Sequence, residues 1–272
     1  MTPRRPRLVI ALIGALSIAC SRGRAPAPEA EPGSVAAAVA LRDTGAVQGI
    51  APDSVFRITP LRPVADLRGE ALAASPPEEP GPFREVDLVE VRSLDPTIRY
   101  DIRYASSRNF MGEPFYTSEH AFLQRSAAEA LARAHRALGE RGFGILVYDA
   151  YRPWHVTKMF WDATPPGLRG FVANPADGSR HNRGAAADVT LYDLATGAPV
   201  SMPSGYDEFT VRAGADYPGG TPDERRNRAL LRSALRAEGF TVLPGEWWHF
   251  DHRDWREYAI LNLTFEELGD GG

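Results

Sequence analysis

From residue 85 onward the chain changes between two hydrophobic periods. Val86-Asp87-Leu88-Val89-Glu90-Val91 sets two carboxylates among apolar residues, and Ile98 to Tyr104 alternates with period two; both predict strands. Ser118 to Leu138 places Leu123, Ala127, Leu131, Ala134 and Leu138 on one helical face, with Gly139 or Gly142 as the stop. Phe143 to Tyr148 predicts a strand, Trp154 to Asp162 a short helix closed by Pro165-Pro166, and Ala185 to Tyr192 a further strand. Thr221-Pro222-Asp223-Glu224 predicts a helix start, with Thr as N-cap, Pro in the first turn and Glu completing a capping box. Leu230, Leu231, Ala234 and Leu235 give that helix an apolar face, and Gly239 ends it. Phe240 to Leu243 and Trp247 to Phe250 read as short strands around Pro244-Gly245. No regular strand–helix–strand repeat runs through these elements. The expected fold is therefore α+β, one compact domain over residues 85–268 with a mixed or antiparallel sheet flanked by helices.

The N-terminal third has a different texture. Arg4, Arg5 and Arg7 precede an apolar run from Leu8 to Ile18, the length of a signal-peptide core and short for a membrane span. The run ends in Ala19-Cys20, and small residues before a lone cysteine are similar to a bacterial lipoprotein cleavage site. Residues 1–19 are thus expected to be an export signal and Cys20 to carry a lipid that holds the protein to the membrane outside the cytoplasm. Ten of the 23 prolines fall between Pro26 and Pro82. A stretch so rich in Pro, Ala and Glu buries little apolar surface against its ordering entropy, so residues 20–84 are expected to be a largely disordered tether, with Val55 to Leu61 as one ordered patch.

Composition narrows the chemistry. The 272 residues carry 31 Lys+Arg against 35 Asp+Glu, a net charge of −4, which argues against nucleic-acid binding. The single cysteine excludes an internal disulfide, so a zinc site here must use His and carboxylates. Only six histidines are available. Two segments concentrate the right groups: Ser179-Arg180-His181-Asn182-Arg183-Gly184-Ala185-Ala186-Ala187-Asp188, and Glu246-Trp247-Trp248-His249. Catalytic zinc takes three protein ligands and leaves one position open. His181, Asp188 and His249 supply two nitrogens and one oxygen, and Glu246 remains as a general base. Gly184 and three alanines remove bulk, so the chain can turn closely from His181 into the strand bearing Asp188. A regular strand would send Glu246 and His249 to opposite faces, so Pro244-Gly245 is expected to hold Glu246 on a turn.

His181, Asp188 and the Glu246-Trp247-Trp248-His249 sequence together resemble the zinc D-alanyl-D-alanine dipeptidases of the vancomycin-resistance type, within the wider zinc D,D-peptidases. The resemblance extends to Asp149-Ala150-Tyr151-Arg152-Pro153 and spans about residues 85–265. It implies that His181, Asp188 and His249 bind one Zn2+, that Glu246 is the catalytic base and that Arg152 stabilises the oxyanion. Arg152 also lies at the end of a predicted strand, where a planar cation can face developing negative charge. The resemblance further implies that Asp207 holds the substrate ammonium, with Ser179 and Tyr104 as additional substrate contacts. The implied substrate is the D-alanyl-D-alanine dipeptide from cell-wall turnover. A D,D- or L,D-carboxypeptidase trimming peptidoglycan stems is the nearest enzymatic alternative, and a non-catalytic, tethered wall-binding lipoprotein is the alternative from another class. His120 and His135 are expected to be solvated on the long helix and His252 to lie at the surface. Arg183 receives no role.

Overall fold

Five strands form the central sheet, in the order β2-β4-β5-β7-β6, in a computed structural model that describes residues 55–269. β2 (Arg99–Tyr100) runs parallel to β4 (Phe143–Asp149). β4, β5 (Ala186–Asp193), β7 (Glu246–His252) and β6 (Phe240–Leu243) follow as antiparallel neighbours. A separate antiparallel ribbon joins β1 (Leu88–Glu90) to β3 (Phe122–Gln124). The fold is α+β, as the mixture of periods predicts.

Two helices cover the sheet. α2 (Arg125–Gly139) packs on β4 through Ala127, Ala130, Leu131, Ala134 and Leu138, whose small alanines let the helix approach closely. α4 (Pro222–Ala237) packs on β6 and α2 through Leu231 and Leu235. Its start has the expected chemistry: Glu224 N–H donates to Thr221 Oγ1 at 3.2 Å, and Thr221 N–H donates to Glu224 Oε2 at 2.6 Å. Ala187, Val189 and Leu191 of β5 are fully buried on one face, which leaves Asp188 and Thr190 for the other.

The structure differs from the sequence expectation in several places. The segment 118–138 is not all helix. Phe122–Gln124 pairs with β1 before the helix begins, because a short apolar run satisfies a strand as well as a helix and the β1 backbone supplies partners. Of the run Ile98 to Tyr104, only Arg99–Tyr100 is strand, and a 3-10 turn at Arg103–Ala105 carries Tyr104. The expected tether is ordered over part of its length. α1 (Val64–Ala73) docks on α3 (Trp154–Ala163) by burying Leu67 and Ala71. So short a helix has little stability alone and is held by that packing, which flanking prolines conceal in the sequence. The expected export signal, Cys20 and the part of the expected tether up to residue 54 lie outside the described residues.

The spare histidines also depart from expectation. His135 is buried. It accepts from Ile145 N–H at 2.9 Å and meets Thr97 Oγ1 at 2.9 Å, so it ties α2 to β4. His252 is 1% exposed on β7 against Phe240, and His120 precedes β3 rather than lying on a helix.

Candidate active site

Asp149, Asp188 and His249 lie side by side on β4, β5 and β7, the three central strands. Asp188 is directly opposite His249 in register, and a bulge after Val147 brings Asp149 opposite Asp188. Directly opposed residues of an antiparallel pair share a face, so the register alone unites Asp188 with His249. The turn 179–184 adds His181. Ser179 N–H donates to Asn182 Oδ1 at 2.7 Å, and Asn182 Nδ2 donates to Arg152 O and Thr157 Oγ1. Gly184 closes the turn at φ 64, where a Cβ would meet Leu88 Cδ2 at 2.4 Å. The expected need for a small residue there is therefore steric and conformational together.

His181 Nε2, His249 Nδ1 and Asp188 Oδ1 converge. Their separations are 3.0 Å between the two imidazoles, 3.0 Å from His249 to Asp188 and 3.2 Å from His181 to Asp188. These distances define a point roughly 1.8 Å from all three atoms, so an ion just off their plane can reach each at the ~2.0–2.2 Å usual for zinc. The opposite ring nitrogens are already engaged. His181 Nδ1 must carry its proton, because it donates to the Ala150 carbonyl at 2.6 Å. His249 Nε2 faces Asp251 Oδ1 at 2.8 Å. The unprotonated nitrogens therefore point inward, as metal ligation requires. Asp188 Oδ2 accepts from Tyr206 Oη at 2.8 Å, which fixes the carboxylate and leaves Oδ1 for the cluster. The donor set fits a divalent cation.

The charges agree with this. Burial opposes ionisation of Asp188, yet His181 and His249 hold it well below the usual carboxylate range. Burial likewise opposes a cationic His249, but Asp251 and Asp188 raise it well above an ordinary histidine. Ligation needs His249 Nδ1 unprotonated, so metal and proton compete for this ring.

Glu246 is not on the turn expected of it: the turn is confined to Pro244-Gly245, and Glu246 is the first residue of β7, paired with Leu243. Between that pair and Val242–Phe250 the ladder is irregular, so Trp247 to His249 break the alternation that would have put Glu246 and His249 on opposite faces. The carboxyl is pushed up to about 7, chiefly because the surrounding protein strips its hydration; His249 lowers it and Asp188 raises it. Arg152 donates through Nε and Nη2 to Asp149 Oδ2 at 2.9 and 2.7 Å and lies 3.8 Å from Asp188 Oδ2. Tyr116 Oη donates to Asp149 Oδ1 at 2.7 Å, so the carboxylate that holds Arg152 is itself fixed. Tyr104 Oη donates to Asp207 Oδ2 at 2.7 Å, and Asp207 is raised well above an ordinary carboxyl by burial and by Asp188. Ser179 Oγ accepts from His181 N–H at 3.2 Å, a capping contact within the turn.

Three contributors escaped the sequence reading. Asp251 orients His249, and its position two residues on, hence on the same strand face, was the available signal. Tyr206 anchors Asp188, and only its place beside Asp207 hinted at it. Arg183, which had no role, bonds Glu79 and the Tyr258 carbonyl and so fastens the segments around residues 79 and 258 to the turn bearing His181.

A buried pair of imidazoles and a carboxylate with an adjacent carboxyl of raised pKa defines a metal-dependent hydrolase site. The family model described as D-ala-D-ala dipeptidase matches residues 84–267, and the chain belongs to that family of metallopeptidases. The D-alanyl-D-alanine dipeptidase of Escherichia coli (strain K12) is 33% identical over 179 residues, covering 66% of this chain and 91% of that protein. The enzyme of the same name from Enterococcus faecium is 34% identical over 178 residues, covering 58% and 87%. That from Streptomyces coelicolor is 34% identical over 185 residues, covering 60% and 90%. A solved LD-carboxypeptidase, LdcB, aligns with 64% of this chain and 71% of its own at 17% identity and a TM-score of 0.36, too low to carry an argument.

Proposed function

We propose that the chain is a zinc dipeptidase that hydrolyses D-alanyl-D-alanine from wall-derived peptides, outside the cytoplasm and anchored by a lipid on Cys20. The observation that carries the reaction is the convergence of His181 Nε2, His249 Nδ1 and Asp188 Oδ1 at 3.0–3.2 Å, with their remaining polar atoms already engaged. These three hold the metal. When bound, it supplies Lewis acidity and brings water toward its nucleophilic form near neutral pH.

The other residues handle protons and charge. Glu246, with a pKa of about 7, takes a proton from the attacking water and returns it to the leaving amine; a base poised near the working pH does both. Arg152, aimed by Asp149, turns its guanidinium toward the oxyanion, and one such donor typically contributes about 3–4 kcal/mol. Asp207 accepts the substrate ammonium. Its elevated pKa supports this, since burial and the neighbouring Asp188 disfavour its charge and an arriving free amine offsets both. An acylated amine leaves that carboxyl unpaired, so dipeptides are preferred over longer peptides. Ser179, whose Oγ accepts from His181 N–H, is placed beside the first metal ligand.

Hydrolysis of D-Ala-D-Ala and N-acetyl-D-Ala-D-Ala, each with and without chelator, tests the function. Chelator-sensitive cleavage favouring the free dipeptide is expected, and a preference for the acetylated substrate would instead make the protein a carboxypeptidase. For the anchor, a Cys20→Ser variant that still fractionates with membranes would refute lipidation.

A further inference from the structure

Residues 56–58 precede the family domain, which begins at residue 84, and take no part in holding metal or moving protons. They nevertheless contact both loops that carry the Tyr104–Asp207 pair. The Phe56 ring lies 5.2 Å from Phe209, two residues past Asp207. Ile58 N–H donates to Phe110 O at 3.0 Å, and Arg57 Nη1 donates to Asn109 O at 2.7 Å. Asn109 is 1% exposed and organises the loop after Tyr104. Its Nδ2 donates to the carbonyls of Arg103, Ser106 and Glu113, and its Oδ1 accepts from Met111 and Gly112. Gly112 has φ 81 and leaves the space Arg57 uses, since a Cβ there would lie 2.7 Å from Nη1.

Asp207 has φ 53, a left-handed conformation disfavoured for a residue with a Cβ. Such a conformation persists only when its surroundings enforce it. Phe209 supplies one restraint: it stacks on Phe171 at 4.9 Å and packs against Phe110 at 5.0 Å and Phe56. Phe110 in turn meets Tyr104 at 6.4 Å. Phe56 is the member of this cluster that comes from outside the family domain.

We propose that Phe56, Arg57 and Ile58 are positioning residues for the amino end of the substrate. They clamp the Tyr104 loop to the Asp207 loop, fix the 2.7 Å bond between those side chains, and so set the preference for a free ammonium over an acylated one. The clamp rests on Asp207 being the ammonium acceptor.

The test uses the full-length, zinc-loaded chain with Phe56→Ala, Phe56→Leu, Arg57→Met and, as reference, Asp207→Asn. For each, kcat and KM are measured on D-Ala-D-Ala and N-acetyl-D-Ala-D-Ala, with zinc content alongside. Phe56→Ala and Arg57→Met are expected to raise KM for the free dipeptide about tenfold, keep kcat within about twofold and retain zinc, while Phe56→Leu recovers most of the loss. Unchanged KM and preference in Phe56→Ala and Arg57→Met overturns the clamp, as does parallel loss of kcat and zinc, which indicates a merely structural role. Should Phe56→Ala not fold, Arg57→Met decides by the same readout. If Asp207→Asn itself leaves the preference intact, the ammonium assignment fails and the clamp with it. If Asp207→Asn abolishes the preference and the clamp variants do not, only the clamp fails.

Discussion

Asp251→Asn removes a charge without removing volume. Asp251 Oδ1 accepts from His249 Nε2 at 2.8 Å, and Arg180 Nε lies 3.6 Å from its other oxygen. Burial works against its ionisation, but His249 keeps it below the ordinary carboxylate range, so the bond is charge-assisted. Its loss affects His249 twice: the ring is less firmly oriented, and Nδ1 becomes a poorer electron donor. Carboxylate partners of ligating histidines typically contribute 10–100-fold to metal affinity, or about 1.4–2.7 kcal/mol. Competition against a chromophoric zinc chelator near neutral pH should show affinity about 30-fold weaker. Activity at saturating zinc should recover to within a few fold, because Asp251 touches neither substrate nor base. An affinity within about twofold of the parent would show that Asp251 does not orient the ligand.

Glu246→Gln should lower kcat by about 10²–10⁴-fold while zinc stays bound, measured by dipeptide turnover and metal analysis. The pH profile follows from the same side chain. A base must be ionised, so kcat/KM should fall on the acid side with unit slope on a logarithmic plot, at a pH below about 7 because the bound cation favours the carboxylate; an acid limb that Glu246→Gln leaves unchanged contradicts its role. Dialysis against chelator should abolish turnover and added zinc should restore it. Gly184→Ala combines a φ of 64 with a Cβ 2.4 Å from Leu88 Cδ2, so denaturant unfolding should show a loss of about 2–3 kcal/mol.

The metal cluster was legible because its chemistry admits few residue types. With one cysteine and six histidines, the segments around His181 and His249 stood out. At Glu246 the conflict of period two with the chemistry was legible but its resolution was not: Glu246 is in strand β7 rather than on the Pro244-Gly245 turn, and the ladder irregularity beyond it breaks the alternation. The start of α4 was legible because a capping box is local. What escaped depends on partners distant in sequence. His135 is buried by Thr97 and by the Ile145 amide, β3 exists because β1 pairs with it, and α1 is ordered by α3. Asp251 and Tyr206 act through register and loop placement, which a linear pattern does not encode.

Anomalous diffraction at the zinc edge from zinc-loaded crystals is the most direct measurement. The expected result is one ion per chain, bonded to His181 Nε2, His249 Nδ1 and Asp188 Oδ1 at ~2.0–2.2 Å. Zinc located elsewhere, or a fully active enzyme with no metal between these three atoms, would contradict it.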